Sequence, residues 1–252
     1  MRFSTLKRLC ILALCLVPAS LLAQTSKPPI YTYVAFWDVP RAQWPEVAKG
    51  LPAEKSAMDK LVADGTLIGY GAFDTLLHQE NGATHGTWFT ASSEGNILKA
   101  LEFVYKQPAL VGAGYQAASK HFDQLFTSET YGAKSGSVNN GYLSVSRWQF
   151  KPGSMHKFME MTNKTIVPVL DKLVADGTLL SYGEMTEDYH TQGMGVLYEY
   201  FSVPDAASMD KVSKAIDEVI AANPSIGDAI RDDTDPTAHR DYLNRIMLSV
   251  SK

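Results

Sequence analysis

The chain has 252 residues, of which 45% are hydrophobic and 20% charged, a composition typical of a globular protein and unlike that of disordered, collagen-like or multi-span membrane chains. This length predicts one large domain or two of ordinary size. The 23 basic and 27 acidic residues give a formal charge of -4, which argues against nucleic acid as a partner, because phosphate-backbone binding depends on clustered Lys and Arg.

The first 23 residues have the pattern of a secretory signal peptide. Three cations, Arg2, Lys7 and Arg8, precede an apolar run over residues 9–22. A membrane anchor is the alternative, but a bilayer span takes about 20 apolar residues, more than this run supplies. We expect cleavage after Ala23 and a secreted or periplasmic protein with no membrane contact after cleavage.

Both cysteines, Cys10 and Cys15, lie inside the segment that would be removed. The mature protein would therefore have no disulfide and no thiol nucleophile, although its compartment allows disulfides. Loss of the three N-terminal cations would leave 20 basic against 27 acidic residues. Anionic surfaces are therefore poor partners for this protein.

One segment of the sequence occurs twice. Residues 59–67 recur letter for letter as residues 171–179, 112 positions later, and at the same spacing Tyr70 matches Tyr182 and His78 matches His190. Further matches pair Trp37 with Trp148 and His121 with His239. The period is too long for a solenoid, so we predict a tandem duplication of one unit. The two copies would span residues 30–131 and 142–252, with a Gly-rich linker over residues 132–141.

Both copies predict the same order of elements. An aromatic and β-branched strand is followed by a helix that ends at Gly65 or Gly177, where a left-handed residue can cap the last turn. Pro168 should kink the helix of the second copy or begin its second segment. The remaining elements are a strand, a hairpin, a second helix and a last strand. In the first copy the predicted strands are 31–39, 66–78, 87–91 and 122–131, and the second helix is 94–106. In the second copy the predicted strands are 142–150, 178–190, 196–203 and 242–250, and the second helix is 206–222.

The order β-α-β-β-α-β is that of the ferredoxin-like split unit, an antiparallel sheet with both helices on one face. One such unit leaves the other face of its sheet uncovered. We therefore predict an α+β protein in which the two units pack sheet to sheet as a barrel within one chain. A monomer is the default, with a homodimer as the alternative.

The sequence resembles the dimeric α+β barrel superfamily, which includes NIPSNAP-like, EthD-like and antibiotic-biosynthesis-monooxygenase-like proteins. The resemblance rests on a strand followed by the segment KPGSMHKF at residues 151–158, a helix, Gly177 and Tyr182. It implies a barrel usually made by two chains and here made by one. Members include cofactor-independent monooxygenases, haem-handling enzymes, lyases and isomerases, so the fold alone does not define the function.

Candidate catalytic residues lie on the second strand of the second copy. Alternation along a strand places Tyr182, Glu184 and His190 on one face, where they could transfer protons. Glu184 has no acidic counterpart in the first copy, which makes the second copy the better candidate. The alternative is that the matched histidines are structural.

Candidate ligand-binding residues come from neighbouring strands and from the first copy. They are Arg147, Trp148, Tyr198, Tyr200, His78 and Tyr70. Aromatic side chains with a few polar groups are typical of small-molecule pockets. The alternative is that these aromatic residues fill the core between the two sheets.

No set of metal ligands is evident. His121 with Asp123, and His239 with Asp241, each share a strand face, but a zinc site needs a third ligand, so a structural clamp is the simpler interpretation. Haem binding through His190 or His239 is a further alternative that the resemblance implies. The sequence also contains no phosphate-binding loop and no serine nucleophile elbow.

Taken together, the sequence predicts an exported barrel that binds a small, partly apolar molecule. One interpretation gives it a cofactor-independent monooxygenase-like or isomerase-like activity. The other is a non-catalytic binding or interaction protein. The identity of the ligand is beyond the sequence.

Overall fold

The structure is a computed structural model that describes residues 27–80, 82–191 and 193–252. The predicted signal peptide lies outside the described residues. The strands are β1 (Ile30–Asp38), β2 (Gly69–Thr75), β3 (His85–Ala91), β4 (Lys120–Ala133), β5 (Gly136–Val138), β6 (Tyr142–Gln149), β7 (Ser181–Glu187), β8 (Val196–Val203) and β9 (Arg240–Ser251). The α-helices are α1 (Trp44–Ala63), α2 (Glu94–Tyr105), α3 (Ala113–Gln116), α4 (Met155–Thr165), α5 (Val167–Ala175), α6 (Ala206–Ala222) and α7 (Pro224–Asp233).

The predicted α+β barrel is confirmed. The strand order is β2-β3-β1-β4 in the first half and β7-β8-β6-β9 in the second, which is the same arrangement twice. Antiparallel pairing of β4 with β7 and of β9 with β2 joins the two sheets at both edges. The sheets therefore close into one barrel of eight strands, which leaves no free edge among them.

The helices cover the outside of the barrel. Apolar side chains of α1 and α2 pack on the outer face of the first-half sheet, and those of α4, α5 and α6 pack on the second. Gly65 (φ 81°) and Gly177 (φ 82°) cap the first long helix of each half in the left-handed conformation, as predicted. Pro168 begins α5 after a break at Ile166, which confirms the predicted second segment. Within the described residues, no helix is both long and apolar enough to cross a bilayer.

An ion pair between a buried carboxylate and a half-exposed guanidinium lies at the seam between the halves. The guanidinium of Arg245 on β9 binds the carboxylate of Asp74 on β2 through two hydrogen bonds, and the Asp74 side chain is 5% exposed. Bidentate pairing of this kind fixes both position and orientation. The pair therefore supports the register in which β2 and β9 meet.

Several predicted boundaries differ from the structure. β2 and β7 end at Thr75 and Glu187, so His78 and His190 lie in the loops after these strands. In the first half, β3 begins only at His85, opposite Asp74, and the hairpin pairing ends with the hydrogen bond from Thr75 N to Thr84 O. Within residues 132–141, predicted as a linker, β4 extends to Ala133 and β5 pairs with the end of β9.

Candidate functional site

A cavity of about 710 Å³ lies inside the barrel. It extends along most of β1, since Ile30 at the beginning of that strand and Phe36 near its end both line it. Its central wall is apolar and is made by Val34, Phe73, Trp88, Phe126, Val145 and Met185. A volume of this size matches that of typical small-molecule sites, which is about 300–1,000 Å³.

Two glycines at corresponding positions shape this wall. Gly71 on β2 pairs with Trp88 on β3, and Gly183 on β7 pairs with Tyr200 on β8. An added Cβ would lie 2.3 Å from the Trp88 ring or 2.7 Å from the Tyr200 ring, distances that real contacts do not tolerate. Glycine therefore lets each aromatic ring lie flat along the wall, where a larger residue would push the ring into the cavity.

A cluster of polar side chains lies at one end of the cavity. Gln124 on β4 donates through Nε2 to the carboxylate of Glu187 and, at 3.1 Å, to the hydroxyl of Tyr198. The Tyr198 hydroxyl in turn lies 3.4 Å from Glu187 Oε1. Arg147 is the direct cross-strand neighbour of Tyr198 and donates to the carbonyl of Ala238 at 2.8 Å.

The cluster is buried, with Gln124 and Glu187 each 4% exposed and Tyr198 6% exposed. Burial raises the pKa of Tyr198, an effect that the hydrogen bond from Gln124 opposes and the nearby Glu187 charge reinforces. The phenol therefore stays neutral and can donate a hydrogen bond. A phenol, an amide and a guanidinium thus line one end of the cavity, and the Glu187 carboxylate lies behind them, bonded to the amide and the phenol.

The sequence identified part of this site. Arg147, Tyr198 and Tyr200 were predicted to bind a ligand, and all three line the cavity. Gln124 and Glu187 were missed. Glu187 shares a strand face with Met185, and that face was not the one chosen as functional. Strand alternation could therefore have identified Glu187, had the face that carries Met185 and Glu187 been taken as the inward one.

Tyr182 and Tyr70 differ from expectation in their position. Both lie on the outer, helix-facing side of the sheet, where each hydroxyl donates to a carboxylate of the preceding helix. The distances are 2.7 Å from Tyr182 to Asp171 and 2.6 Å from Tyr70 to Asp59. The same bond in both halves holds each helix against its sheet, and neither tyrosine lines the barrel cavity.

Trp148 also lies on the outer face. Its indole stacks on the ring of His239 at 3.8 Å, and its Nε1 donates to Glu199 at 2.7 Å. His239 binds the carbonyl of Arg147 through Nδ1 at 3.0 Å and Asp241 through Nε2 at 3.1 Å. This is the geometry of a structural clamp.

The other predicted histidines are exposed. His78 lies in the loop after β2 with its ring 5.6 Å from that of Trp44, and His190 is exposed in the loop after β7. Neither lines the barrel cavity, and His239 does not line it either, so the residues expected to hold haem are not placed around this space. Among the described residues, no group of three His, Cys, Asp or Glu could hold a metal ion.

Glu184 belongs to a pair of carboxyl groups between β7, β8 and α4. It pairs directly across the strands with Glu199, and one of its oxygens accepts from the hydroxyl of Thr162 on α4. Burial raises the pKa of Glu184 to about 6. Burial, reinforced by the charge of Glu184, raises the pKa of Glu199 to about 7.

These raised pKa values predict a pH-dependent stability. From about pH 4.5 to pH 7 the folded chain holds protons that the unfolded chain has released, so the free energy of unfolding falls as the pH rises through this window. Glu184→Gln removes one of these ionisations, so between pH 5 and pH 8 its free energy of unfolding should fall by roughly 1.3 kcal/mol less than that of wild type.

Urea denaturation at a series of pH values measures this effect. Glu218→Gln, on the exposed side of α6, is the matched control and should keep the wild-type pH profile. A Glu184→Gln protein whose stability falls with pH as steeply as that of wild type would contradict the assignment.

No protein-family model matches the chain, and no curated protein matches its sequence. Solved structures do match its fold. A "putative monooxygenase" of Lactobacillus acidophilus superposes with a TM-score of 0.67 at 13% identity, covering 89% of this chain and 97% of that one. A protein of the same description from Fusobacterium nucleatum gives 0.66 at 11% identity, with 89% and 94% covered. An anthrone oxidase-like protein gives 0.54 at 8% identity, also with 89% and 94% covered. The chain therefore has the α+β barrel fold of these proteins.

Proposed function

We propose that the protein binds a small, partly apolar molecule inside its barrel. The observation that carries this proposal is the cavity of about 710 Å³, which combines an apolar wall with one buried polar cluster. A well-packed barrel of eight strands fills its interior with side chains, whereas this one keeps a space of ligand size. Export of the chain belongs to the same proposal, since the ligand would then be met outside the cytoplasm.

The walls indicate the chemistry of the ligand. Aromatic and aliphatic side chains such as Phe73, Trp88 and Val145 favour a flat, apolar body. The cluster of Gln124, Glu187, Tyr198 and Arg147 can bind a hydroxyl, a carbonyl or an oxyanion at one end of that body. A phenolic or quinone-like compound has both features.

Titration with N-phenyl-1-naphthylamine, an uncharged aromatic probe that fluoresces in apolar surroundings, tests the proposal. Wild type should bind it saturably, with one probe per chain. Val145→Trp places a large ring in the middle of the cavity and should weaken binding by about tenfold or more, the equivalent of 1.4 kcal/mol. The cavity offers room for the new ring, so the fold should be retained.

The matched control is Leu98→Trp, which adds the same side chain at a position of α2 that is 59% exposed. It should bind the probe like wild type. Equal binding by Val145→Trp and Leu98→Trp, or no saturable binding by wild type, would overturn the proposal.

A second candidate function is oxidation of the bound molecule by O₂ in a monooxygenase-like reaction. The specific observation that favours it is the buried carboxylate of Glu187 beside the neutral phenol of Tyr198. Through the hydroxyl of Tyr198, which lines the cavity, this carboxylate could act as a general base toward a bound substrate, and the adjacent donors could stabilise an enolate oxygen as it forms. Two of the similar solved structures are described as "putative monooxygenases" and a third as anthrone oxidase-like, which supports a monooxygenase-like reaction.

The reaction balances without a further reductant. Glu187 would accept a proton from an acidic CH₂ group, and the resulting carbanion would reduce O₂ to form a C–O bond. Return of the proton gives a hydroperoxide, which loses water to leave a carbonyl. The net change is R₂CH₂ + O₂ → R₂CO + H₂O, with all four electrons supplied by the substrate.

Anthrone, a ketone with an acidic CH₂ group, is the probe substrate. O₂ uptake and the appearance of anthraquinone should accompany each other, and Glu187→Gln should lower the catalysed rate by about 100-fold, the usual contribution of a general base. Glu184→Gln, on the opposite face of the same strand, should keep the rate. Loss of activity in Glu184→Gln but not in Glu187→Gln would contradict this assignment. If wild type catalyses no O₂ uptake, the oxidation is excluded and only the binding function stands.

A further inference from the structure

A second, smaller cavity of about 90 Å³ lies on the other side of the first-half sheet, between its outer face and the helices α1 and α2. Tyr33, Trp37 and Thr87 line it from the sheet, Glu54 lines it from α1, and Tyr115 closes it from α3. A volume of this size exceeds that of one water, about 30 Å³, and accommodates a small organic molecule.

Two polar atoms at this cavity bind no protein group. They are the indole Nε1 of Trp37 and the hydroxyl of Tyr115, and the Tyr115 side chain is 5% exposed. A buried donor without an acceptor costs about 1–3 kcal/mol, so such groups usually have a partner. Both atoms are donors, and the two rings lie next to each other with their centroids 5.1 Å apart.

The second half of the barrel shows what the missing acceptor is. There the indole Nε1 of Trp148, the counterpart of Trp37, donates to a carboxyl oxygen of Glu199 at 2.7 Å. Glu199 pairs with Ser146, two residues before Trp148, and Thr87 pairs with Ala35, two residues before Trp37. Thr87 therefore occupies the place of Glu199, and its side chain has no carboxyl group to accept from the indole.

We propose that this cavity is a second binding site, separate from the barrel interior, for a short-chain monocarboxylic acid. The carboxyl group of the ligand would accept from Trp37 Nε1 and Tyr115 Oη, as Glu199 accepts from Trp148 in the other half. Its short alkyl chain would pack against Met58, Leu101 and Val104, which form the apolar part of the lining.

The acidic groups near the site are compatible with such a ligand. Burial raises the pKa of Glu54 to about 7, so its carboxyl group is available in the neutral form, which does not repel a carboxylate. Asp123 Oδ1 lies 2.9 Å from the ring nitrogen of His121, which would balance its charge when that ring is protonated. The second half shows that two carboxyl groups can lie side by side on this face, because Glu184 and Glu199 are direct cross-strand neighbours there.

The indole N–H signals in an ¹H–¹⁵N correlation spectrum report directly on this site. Propionate is the probe, and a ligand of its size should bind with a Kd on the order of 1 mM. The Trp37 signal, assigned by its loss in Trp37→Phe, should shift saturably while that of Trp148 stays in place. Propan-1-ol, of the same length without the carboxyl group, should have little effect.

A pair of exchanged residues provides the matched variants. Thr87→Glu supplies the carboxyl group from the sheet, so the Trp37 signal should move without ligand and no longer respond to propionate. Glu199→Thr should make the Trp148 signal respond to propionate. If Thr87→Glu does not fold, Tyr115→Phe, which removes one donor, should weaken binding by about tenfold, the change that a lost hydrogen bond of 1.4 kcal/mol produces.

Three results would overturn the proposal: no shift of the Trp37 signal up to roughly 100 mM propionate, some hundred times the expected Kd; an equal shift with propan-1-ol; or an unchanged response in a folded Thr87→Glu protein. The response should persist in Val145→Trp, so failure of the barrel site and failure of this site are distinguishable.

Discussion

Closure of the barrel by backbone hydrogen bonds is the constraint on which the rest of the structure depends. Pairing of β4 with β7 and of β2 with β9 turns two open sheets into one closed surface with an inside and an outside. Once it is closed, residues along each regularly paired stretch of strand face alternately the cavity and the helices, and a slip by one residue would exchange the two sets; bulges interrupt this alternation in the β4–β7 and β2–β9 pairings. The position of each chemical group follows from this rule.

The interior stays hollow because of particular pairs of residues. Gly71 and Gly183 let the rings of Trp88 and Tyr200 lie along the wall, and the remaining central side chains are of moderate size. The polar cluster around Glu187 and Tyr198 lies where β4, β7 and β8 run side by side, so three strands hold it rather than one loop. Such an arrangement fixes a ligand at one polar end while its apolar body fills the barrel.

Most of the fold could be predicted from the sequence, because repeated segments and hydrophobic periodicity define the order of strands and helices in each half. The site was harder to predict. Alternation placed Tyr182 and Glu184 together correctly, but it does not state which of two faces points inward, and the helix-bound hydroxyl of Tyr182 shows that this face points outward. Arg147 and Tyr198 were found because they lie on inward positions of neighbouring strands.

The histidines show a second limit of sequence reasoning. His78 and His190 match in both halves, yet they lie beyond the ends of their strands, where alternation no longer applies. Strand ends depend on where the partner strand begins, a long-range property that local sequence does not contain. The difference between Thr87 and Glu199 at matching positions likewise suggests no function from sequence alone. It gains meaning only when the structure places each residue near a tryptophan.

Native mass spectrometry of the protein exported from a bacterial host, recorded with N-phenyl-1-naphthylamine and again after denaturation, tests the central claim most directly. The account predicts that each folded chain carries one small molecule, from the host or the added probe, and that the mass returns to that of the chain alone after denaturation. A folded chain that carries no small molecule even with excess probe would contradict the claim that the barrel is a binding cavity.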